Sequence, residues 1–361
     1  MKIKYYKNFV EDYRPSMDQY ANRLIKHQSE KYKNFQIDFF QPKLNFASKL
    51  ILSNAWKMRY ARYILYPSQI KKLPKHDIAH ICDHQYGNLY PYLNSKLKFI
   101  TVHDLIPLVF QKKLNKNPLL GKFSLSKLKL FTKVFTISEN TKNDIIRFTD
   151  CPKEKIEVIG QTTEDFFNDS PIEKKNVCKK YNIPIDKKKI LISGKNFYKN
   201  NEIAYKVLEK LNNINKNIIL IHIGSGNKNI NIPKYLKNYV IRLPFIDKKE
   251  ISNIYKISDI LFFPSIYEGF GTPLLEAMNC GIPVVCSNNS SLPEVVGDAA
   301  LMSNCDDIDK FTKNIIEILN NKELYLSLAN KSLTRAKIFN PEKFHNNIIK
   351  IYKEELKKIE L

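Results

Sequence analysis

The chain has 361 residues, 43% of them hydrophobic, which is material for about two domains with a core each. Its longest apolar runs, Ile218–Ile223 and Ile260–Phe263, are strand-sized, well short of the roughly 20 residues that span a bilayer, and Met1–Val10 carries charge without the apolar stretch of a signal peptide. A formal charge of +23 confines the partners to anions: nucleic acid, an acidic membrane surface or phosphorylated small molecules.

Short β-type runs alternate with longer helix-period segments almost throughout. In the first half the spacing predicts strands at Ile3–Tyr6, Gln36–Phe40, Asp77–Cys82, Lys98–Val102, Val134–Ile137 and Ile156–Ile159. Helices are expected at Met17–Ser29, Ala47–Tyr66 and Glu139–Phe148, the last capped by Ser138. Residues 161–189 are polar, contain Pro171 and Pro184, and read as a linker with one short helix, Ile172–Tyr181. Further strands are expected at Ile190–Ser193, Ile218–Ile223, Val240–Leu243, Ile260–Phe263, Val284–Cys286 and Ala299–Met302; helix follows from Asp306 to the end. Alternation of this kind predicts parallel sheets with right-handed crossovers. Two doubly wound sheets so joined bind ligands where strand C-terminal ends meet.

The six cysteines show neither a C-x-x-C pair nor zinc-ligand spacing, and read as reduced thiols in packed positions. The lysines are spread along the chain with few arginines, and no aromatic–arginine interleaving or nucleic-acid module accompanies them. Compositional bias is the first reading of the charge, attraction to an anionic membrane the second; nucleic acid is set aside.

The densest constellation runs from Phe263 to Gly281. A buried strand ends at Pro264 and hands over to a loop whose Gly269 and Gly271 let backbone amides approach a ligand. Thr272 is expected to cap the next helix, with Pro273 at its first position. Such a helix start suits a diphosphate. Glu268 and, eight positions on in the expected first turn, Glu276 suit sugar hydroxyls rather than phosphate. Gly224-Ser-Gly226 lacks the third glycine of a dinucleotide fingerprint, since Asn229 stands there. Asp307-Ile-Asp309 precedes an amphipathic helix and reads as capping, so no metal site is expected.

The run Ser265-Ile-Tyr-Glu-Gly-Phe-Gly-Thr-Pro-Leu-Leu-Glu-Ala-Met278, continuing through Gly281-Ile-Pro-Val-Val and Ser291-Leu-Pro-Glu-Val-Val-Gly-Asp-Ala-Ala300, resembles the signature of retaining GT-B glycosyltransferases of family four. The resemblance implies an α/β GT-B fold, two Rossmann-like doubly wound domains facing a central cleft. The expected organisation is an acceptor-binding domain at 1–160, a linker at 161–189, a nucleotide-sugar domain at 190–340 and a C-terminal helix at 341–361 packing back on the first domain.

Carried over by motif, Glu268 falls beside the donor sugar's hydroxyls and Glu276 beside the ribose, with Gly269, Phe270, Gly271 and Thr272 lining the donor loop. Leu191-Ile-Ser-Gly194-Lys195-Asn-Phe-Tyr-Lys199-Asn200 resembles the family's strand, glycine turn and basic pair that hold the diphosphate. The loop is one residue shorter than usual, which makes Lys199 the firmer assignment and Lys195 the weaker. Ile100-Thr-Val-His103-Asp104 resembles the family's strand-end His-Asp, which implies His103 beside the transferred sugar and Asp104 orienting it or capping the next turn. His80 and His84 read as packing or acceptor-side residues. Ser16 and Met17 replace a usual Gly-Gly turn, leaving Arg14 and Ser16 as acceptor-side candidates.

The expected catalytic residues are therefore His103, Glu268 and Lys199. The implied reaction is metal- and cofactor-independent transfer of a hexose, from GDP-mannose first and UDP-hexoses second, to a hydroxyl of a glycan or lipid-linked acceptor in polysaccharide biosynthesis. The expected location is cytoplasmic, peripheral at the inner face of the membrane. The alternative is a non-catalytic basic protein on the same scaffold, binding membranes or anionic polymers.

Overall fold

The computed structural model describes residues 1–114, 119–226, 232–244 and 246–360, so Asn229 lies outside the described residues. Two units divide the chain: Met1–Gly160 with Glu342–Leu361, and Gln161–Pro341. Each is built on a parallel six-stranded sheet.

In the first unit the strands are β1 (Lys2–Tyr6), β2 (Gln36–Phe40), β3 (His76–Ile81), β4 (Ser95–Val102), β5 (Lys133–Thr136) and β6 (Ile156–Val158), in the order β2-β1-β3-β4-β5-β6. Successive side chains alternate between faces, and both faces are covered. In β4, Leu97 and Phe99 enter one apolar cluster while Ile100 and Val102 enter the other. The first cluster is completed by α1 (Pro15–Lys31), through Tyr20, Ala21 and Leu24, and by the C-terminal helix, through Phe344, Ile348, Ile349 and Tyr352. Ser138 caps α2 (Glu139–Phe148) by accepting from the Thr141 amide at 3.0 Å.

The helix expected over Ala47–Tyr66 is broken. A short turn, Phe46–Lys49, stops; Ser53 and Asn54 restart a helix over Asn54–Tyr60, which passes through a π-turn at Ala61–Leu65 into Tyr66–Ile70. Ser and Asn compete for backbone bonds and favour helix starts, and Asn54–Tyr60 buries no residue that would hold a continuous helix against the core.

The second unit holds β7 (Lys188–Ser193), β8 (Ile218–Ile223), β9 (Val240–Leu243), β10 (Ile260–Phe263), β11 (Val284–Ser287) and β12 (Ala300–Ser303), ordered β12-β11-β10-β7-β8-β9. Every residue of β8 and β10 is buried, as in strands covered on both faces. Helices α3 (Asn201–Ile214), α4 (Lys248–Ile257), α5 (Thr272–Asn279), α6 (Ile308–Asn320) and α7 (Lys322–Ala336) surround the sheet, and α8 (Pro341–Glu360) is the C-terminal helix that serves the first unit. Asp307 caps α6 by accepting from the Lys310 amide. The stretch expected as a linker packs within the second unit: Thr163 meets Asn279 at 3.2 Å, and Asn168 meets Lys256 at 3.0 Å. All six cysteines are free thiols. Among the described residues no helix is long and apolar enough to cross a membrane.

In both sheets the chain reverses its direction of strand addition once, between β1 and β3 and between β7 and β10. Ligands of open parallel sheets bind at the carboxyl ends of such strand pairs.

Candidate functional site

At the second unit's reversal point, β7 ends in Gly194, whose backbone is left-handed (φ +90°). A Cβ there would lie 3.0 Å from Lys199 Cε, so the glycine makes room for the lysine to fold back over the strand end. Lys199 closes a tight turn, Phe197–Lys199, and Asn200, also left-handed at φ +59°, leads into α3. The Asn200 side chain donates to Pro264 O at 3.0 Å and Cys305 O at 2.7 Å, clamping this turn to the end of β10.

That clamp brings Lys199 to Glu268. Lys199 Nζ lies 2.8 Å from Glu268 Oε1, both side chains being nearly buried, and 4.7 Å from the Phe263 ring centre. The approach is off-axis, and the buried Glu268 Oε1 receives no directed hydrogen bond in the chain. Ser290 Oγ accepts from the Glu268 amide at 2.9 Å, and Ser291 Oγ donates to the Glu268 carbonyl at 3.0 Å, so two serines beyond β11 fix the glutamate's backbone.

The helix start differs from the expectation. Gly271, not Thr272, is the N-cap, left-handed at φ +91°; Thr272 and Pro273 are the first two helical residues. No side chain caps α5; Pro273 has no N–H and the Leu274 amide donates to Gly271 O at 2.9 Å, so the helix start offers a ligand the Thr272 amide and the positive end of the helix. The helix begins at Thr272, so Glu276 lies beyond its first turn rather than in it. It is held there by Tyr255, whose hydroxyl donates to Glu276 Oε2 at 2.8 Å. Burial, and then the Glu276 charge, raise the Tyr255 hydroxyl well above its ordinary range, keeping it a donor. Lys195 stands apart from the Lys199–Glu268 pair: its Nζ would lie 3.0 Å from a Cβ on Gly226, at the end of β8.

The first unit's reversal point is organised by a residue the sequence reading passed over. Asp83, just beyond β3 and with a fully buried side chain, accepts from Asn8 Nδ2 at 2.9 Å, Arg14 NH1 at 2.7 Å and the Gln85 amide at 3.0 Å. Burial alone would raise its carboxyl; Arg14, His84, His103 and the amide outweigh that and hold it well below the usual carboxylate range. His84 Nδ1 lies 3.5 Å from Asp83 Oδ1, and burial lowers this imidazole to about 4, so it is neutral at pH 7.

His103 is buried, edge-on to Tyr20 with ring centres 4.6 Å apart. Its Nε2 donates to Cys82 O at 2.8 Å, which leaves Nδ1 as the acceptor of a neutral ring. Burial lowers its pKa. Asp104 caps the next turn, its Oδ1 accepting from the Ile106 amide at 3.0 Å. Ser16 is exposed in the first turn of α1. His80 is a packing residue: it bonds Tyr352 of α8 and Thr101 Oγ1, and burial lowers it to about 3.

Thus Gly194, Lys199, Glu268 and the start of α5 converge in one place, and Arg14 and His84 converge on Asp83. Asp83, Tyr255, Ser290 and Ser291 were missed, although Asp83 directly precedes the candidate His84 and Ser291 opens one of the stretches quoted above. An acid at a parallel strand's carboxyl end was the available signal for Asp83. Among the described residues, no group of three or more His, Cys, Asp or Glu side chains is placed to hold a metal ion.

Residues 173–335 match the family model described as Glycosyl transferases group 1. The O-antigen chain mannosyltransferase B of Escherichia coli is 30% identical over 228 residues, covering 61% of this chain and 60% of that protein. The chain therefore spans less than two thirds of this curated relative. Among solved structures, sucrose-phosphate synthase from Thermosynechococcus elongatus superposes with a TM-score of 0.80 at 16% identity, covering 98% of this chain and 99% of that one. Anabaena Alr3699/HepE in complex with UDP and glucose gives 0.74 at 14% identity, with 98% and 99% covered. These likenesses show the fold, which is that of GT-B glycosyltransferases.

Proposed function

We propose that this chain, whose residues 173–335 match the group 1 glycosyl transferase model, is such an enzyme and moves a hexose from a nucleotide-diphosphate sugar to an acceptor hydroxyl with retention at C1. The observation that carries this reading is the Lys199–Glu268 pair set beside the uncapped start of α5. A cation and a helix start that no side chain caps suit a diphosphate, and a carboxylate oxygen with no directed donor suits a sugar hydroxyl.

In the proposed reaction the acceptor oxygen bonds to C1, the bond from C1 to the diphosphate oxygen breaks, and the acceptor's proton is released as the nucleoside diphosphate departs. Lys199 and the positive end of α5, with Gly269, Phe270, Gly271 and Thr272 shaping the loop, take up the charge that grows on the leaving group. Lys195, beside Gly226, contributes at longer range. Glu268 accepts from the hexose hydroxyls and Glu276 from the ribose hydroxyls. His103, with a free acceptor nitrogen, is assigned to the transferred sugar, as its motif implies. Arg14 and His84, gathered on Asp83, are assigned to the acceptor; Ser16 and Asp104 have weaker support, one being exposed and the other engaged in a cap.

GDP-mannose is the first donor, supported by the mannosyltransferase relative; UDP-hexoses come second, supported by the UDP-binding structural neighbour. The proposed acceptor is a glycan or glycolipid, reached from the cytoplasmic face of the membrane, and no metal is required. Hydrolysis and transfer assays across GDP- and UDP-sugars, with and without chelator, test this. Turnover of one nucleotide sugar that persists in EDTA is expected, with proton NMR showing the donor's anomeric configuration in the product. Activity lost to EDTA and restored by Mn²⁺ or Mg²⁺ removes the metal-free mechanism, and an inverted linkage removes retention.

A further inference from the structure

The lysines are spread along the chain, but the acids are not. Between Asp38 and Asp77 there are eight basic residues and no acidic one, and between Asp104 and Glu139 there are seven basic residues and again none. These two windows adjoin in the first unit. Tyr63 donates to Leu120 O at 2.9 Å and its ring lies 6.3 Å from that of Phe123.

The same windows carry large apolar side chains that nothing in the unit covers. In the first window Leu52 is 98% exposed, Phe46 77% and Trp56 63%, and in the second Leu119 and Phe123 are exposed. The helix Asn54–Tyr60 buries none of its residues. Scattered exposed hydrophobics are ordinary in proteins, but a group of them on an acid-free basic background is not. The aromatic rings and cations also share one layer: the Arg59 guanidinium sits 4.7 Å over Trp56, and Lys127 Nζ 4.8 Å over Phe123. Of the basic residues, Arg62 pairs with Asp12, Lys129 with Asp150 and Lys133 with Glu157, acids that reach in from outside the windows.

We infer that this face docks on an anionic lipid bilayer. Phe46, Leu52 and Trp56 enter the headgroup boundary while Lys57, Arg59, Lys112, Lys122 and Lys127 meet the acidic headgroups. Charge complementarity selects this occupant. A purely apolar partner leaves the cations unmatched, and a soluble polyanion leaves Leu52 and Phe46 in water. The inference uses exposure and charge only and stands independently of the transferase reading.

The full chain is to be tested by co-sedimentation with vesicles of phosphatidylcholine alone and of phosphatidylcholine with phosphatidylglycerol. Binding to the anionic vesicles, weakened by added salt, is expected. The triple variant Phe46→Ser/Leu52→Ser/Trp56→Ser and the pair Lys57→Glu/Arg59→Glu should each weaken it at least about tenfold. Ile214→Ser, an exposed apolar change in the second unit, should leave it unaltered. These positions are exposed except Lys57, which is half-buried, and none is in the core, so folding survives; circular dichroism and an unchanged Tm check this. Equal binding to both vesicle types, no binding to either, or undiminished binding by the triple variant overturns the inference. So does a self-association, seen by sedimentation velocity, that the triple variant abolishes, because the face is then covered by a second copy.

Discussion

Lys199 and Glu276 meet the proposed donor at points where charge behaves differently during the reaction. The ribose contacts proposed for Glu276 would form in the ground state and persist, so they would be uniform binding. Glu276→Ala should raise the donor KM with a smaller fall in kcat. Tyr255 holds that carboxylate at 2.8 Å, so Tyr255→Phe should raise KM about threefold to tenfold while sparing kcat. On the proposed assignment Lys199 faces the diphosphate, whose charge grows as the bond to C1 breaks. Lys199→Ala should lower kcat about ten- to a hundred-fold, with partial recovery in Lys199→Arg. It also strips a nearly buried Glu268 of its counter-ion, which should cost roughly 2 kcal/mol, less than the loss of a fully buried pair. Steady-state kinetics beside urea unfolding separate the two effects. A change in KM alone for Lys199→Ala, with a change in kcat alone for Glu276→Ala, reverses the assigned roles.

At the scale of elements, three glycines make alanine a graded probe. Gly271 caps α5 with φ +91°, and a Cβ there would lie 2.9 Å from Cδ2 of the fully buried Leu292. Gly271→Ala should cost about 1–3 kcal/mol and displace the loop that carries Glu268, so activity falls with stability. Gly87 lies in the tight-turn segment His84–Tyr92, and its Cβ would meet Ser124 O at 2.3 Å. Gly87→Ala must therefore push apart two backbone segments of the first unit and lower the Tm without touching the donor loop. Gly121, in the helix Leu119–Ser126, has open space around it. Gly121→Ala should stabilise by about 0.5–1 kcal/mol. Thermal unfolding of the three variants should give two losses and one gain; a gain at Gly271 contradicts the left-handed cap.

Over the whole molecule, acid sensitivity is concentrated in the first unit, which holds six of the seven histidines. Burial lowers His80 to about 3, His84 to about 4 and His345 to about 3; in His345 the stacked His27, 4.0 Å away, adds to the effect. With folded values below the ordinary 6.5, the unfolded chain takes up protons first. Stability therefore rises with pH, is fully present above about pH 6.5, and is lost as pH falls towards 3–4. Each such histidine contributes a slope of about 1.4 kcal/mol per pH unit within that window. Urea unfolding between pH 7.5 and 4.5 should show the first unit weakening, and His345→Asn should flatten the dependence by about one proton. An unchanged slope in that variant means His345 is charged in the folded state.

The amino-acid sequence by itself determined the elements and the donor loop. Among the described residues, all twelve expected strands lie within three residues of their observed ends; β8, β10 and β11 were the plainest, because a strand buried on both faces must be apolar throughout. The loop after β10 was legible for a similar reason: Gly271, Pro273 and their neighbours act through their own backbone dihedrals. Tertiary structure decided what depends on residues remote in sequence. Asp83 owes its place to Asn8 and Arg14, 75 and 69 positions away, and Glu276 to Tyr255. Whether Lys195 or Lys199 reaches Glu268 depends on the Asn200 clamp to β10, and His80 is locked by Tyr352, 272 positions on. The order of strands is likewise invisible locally, since apolar strands pair equally well with many neighbours until crossovers and helix packing select one arrangement.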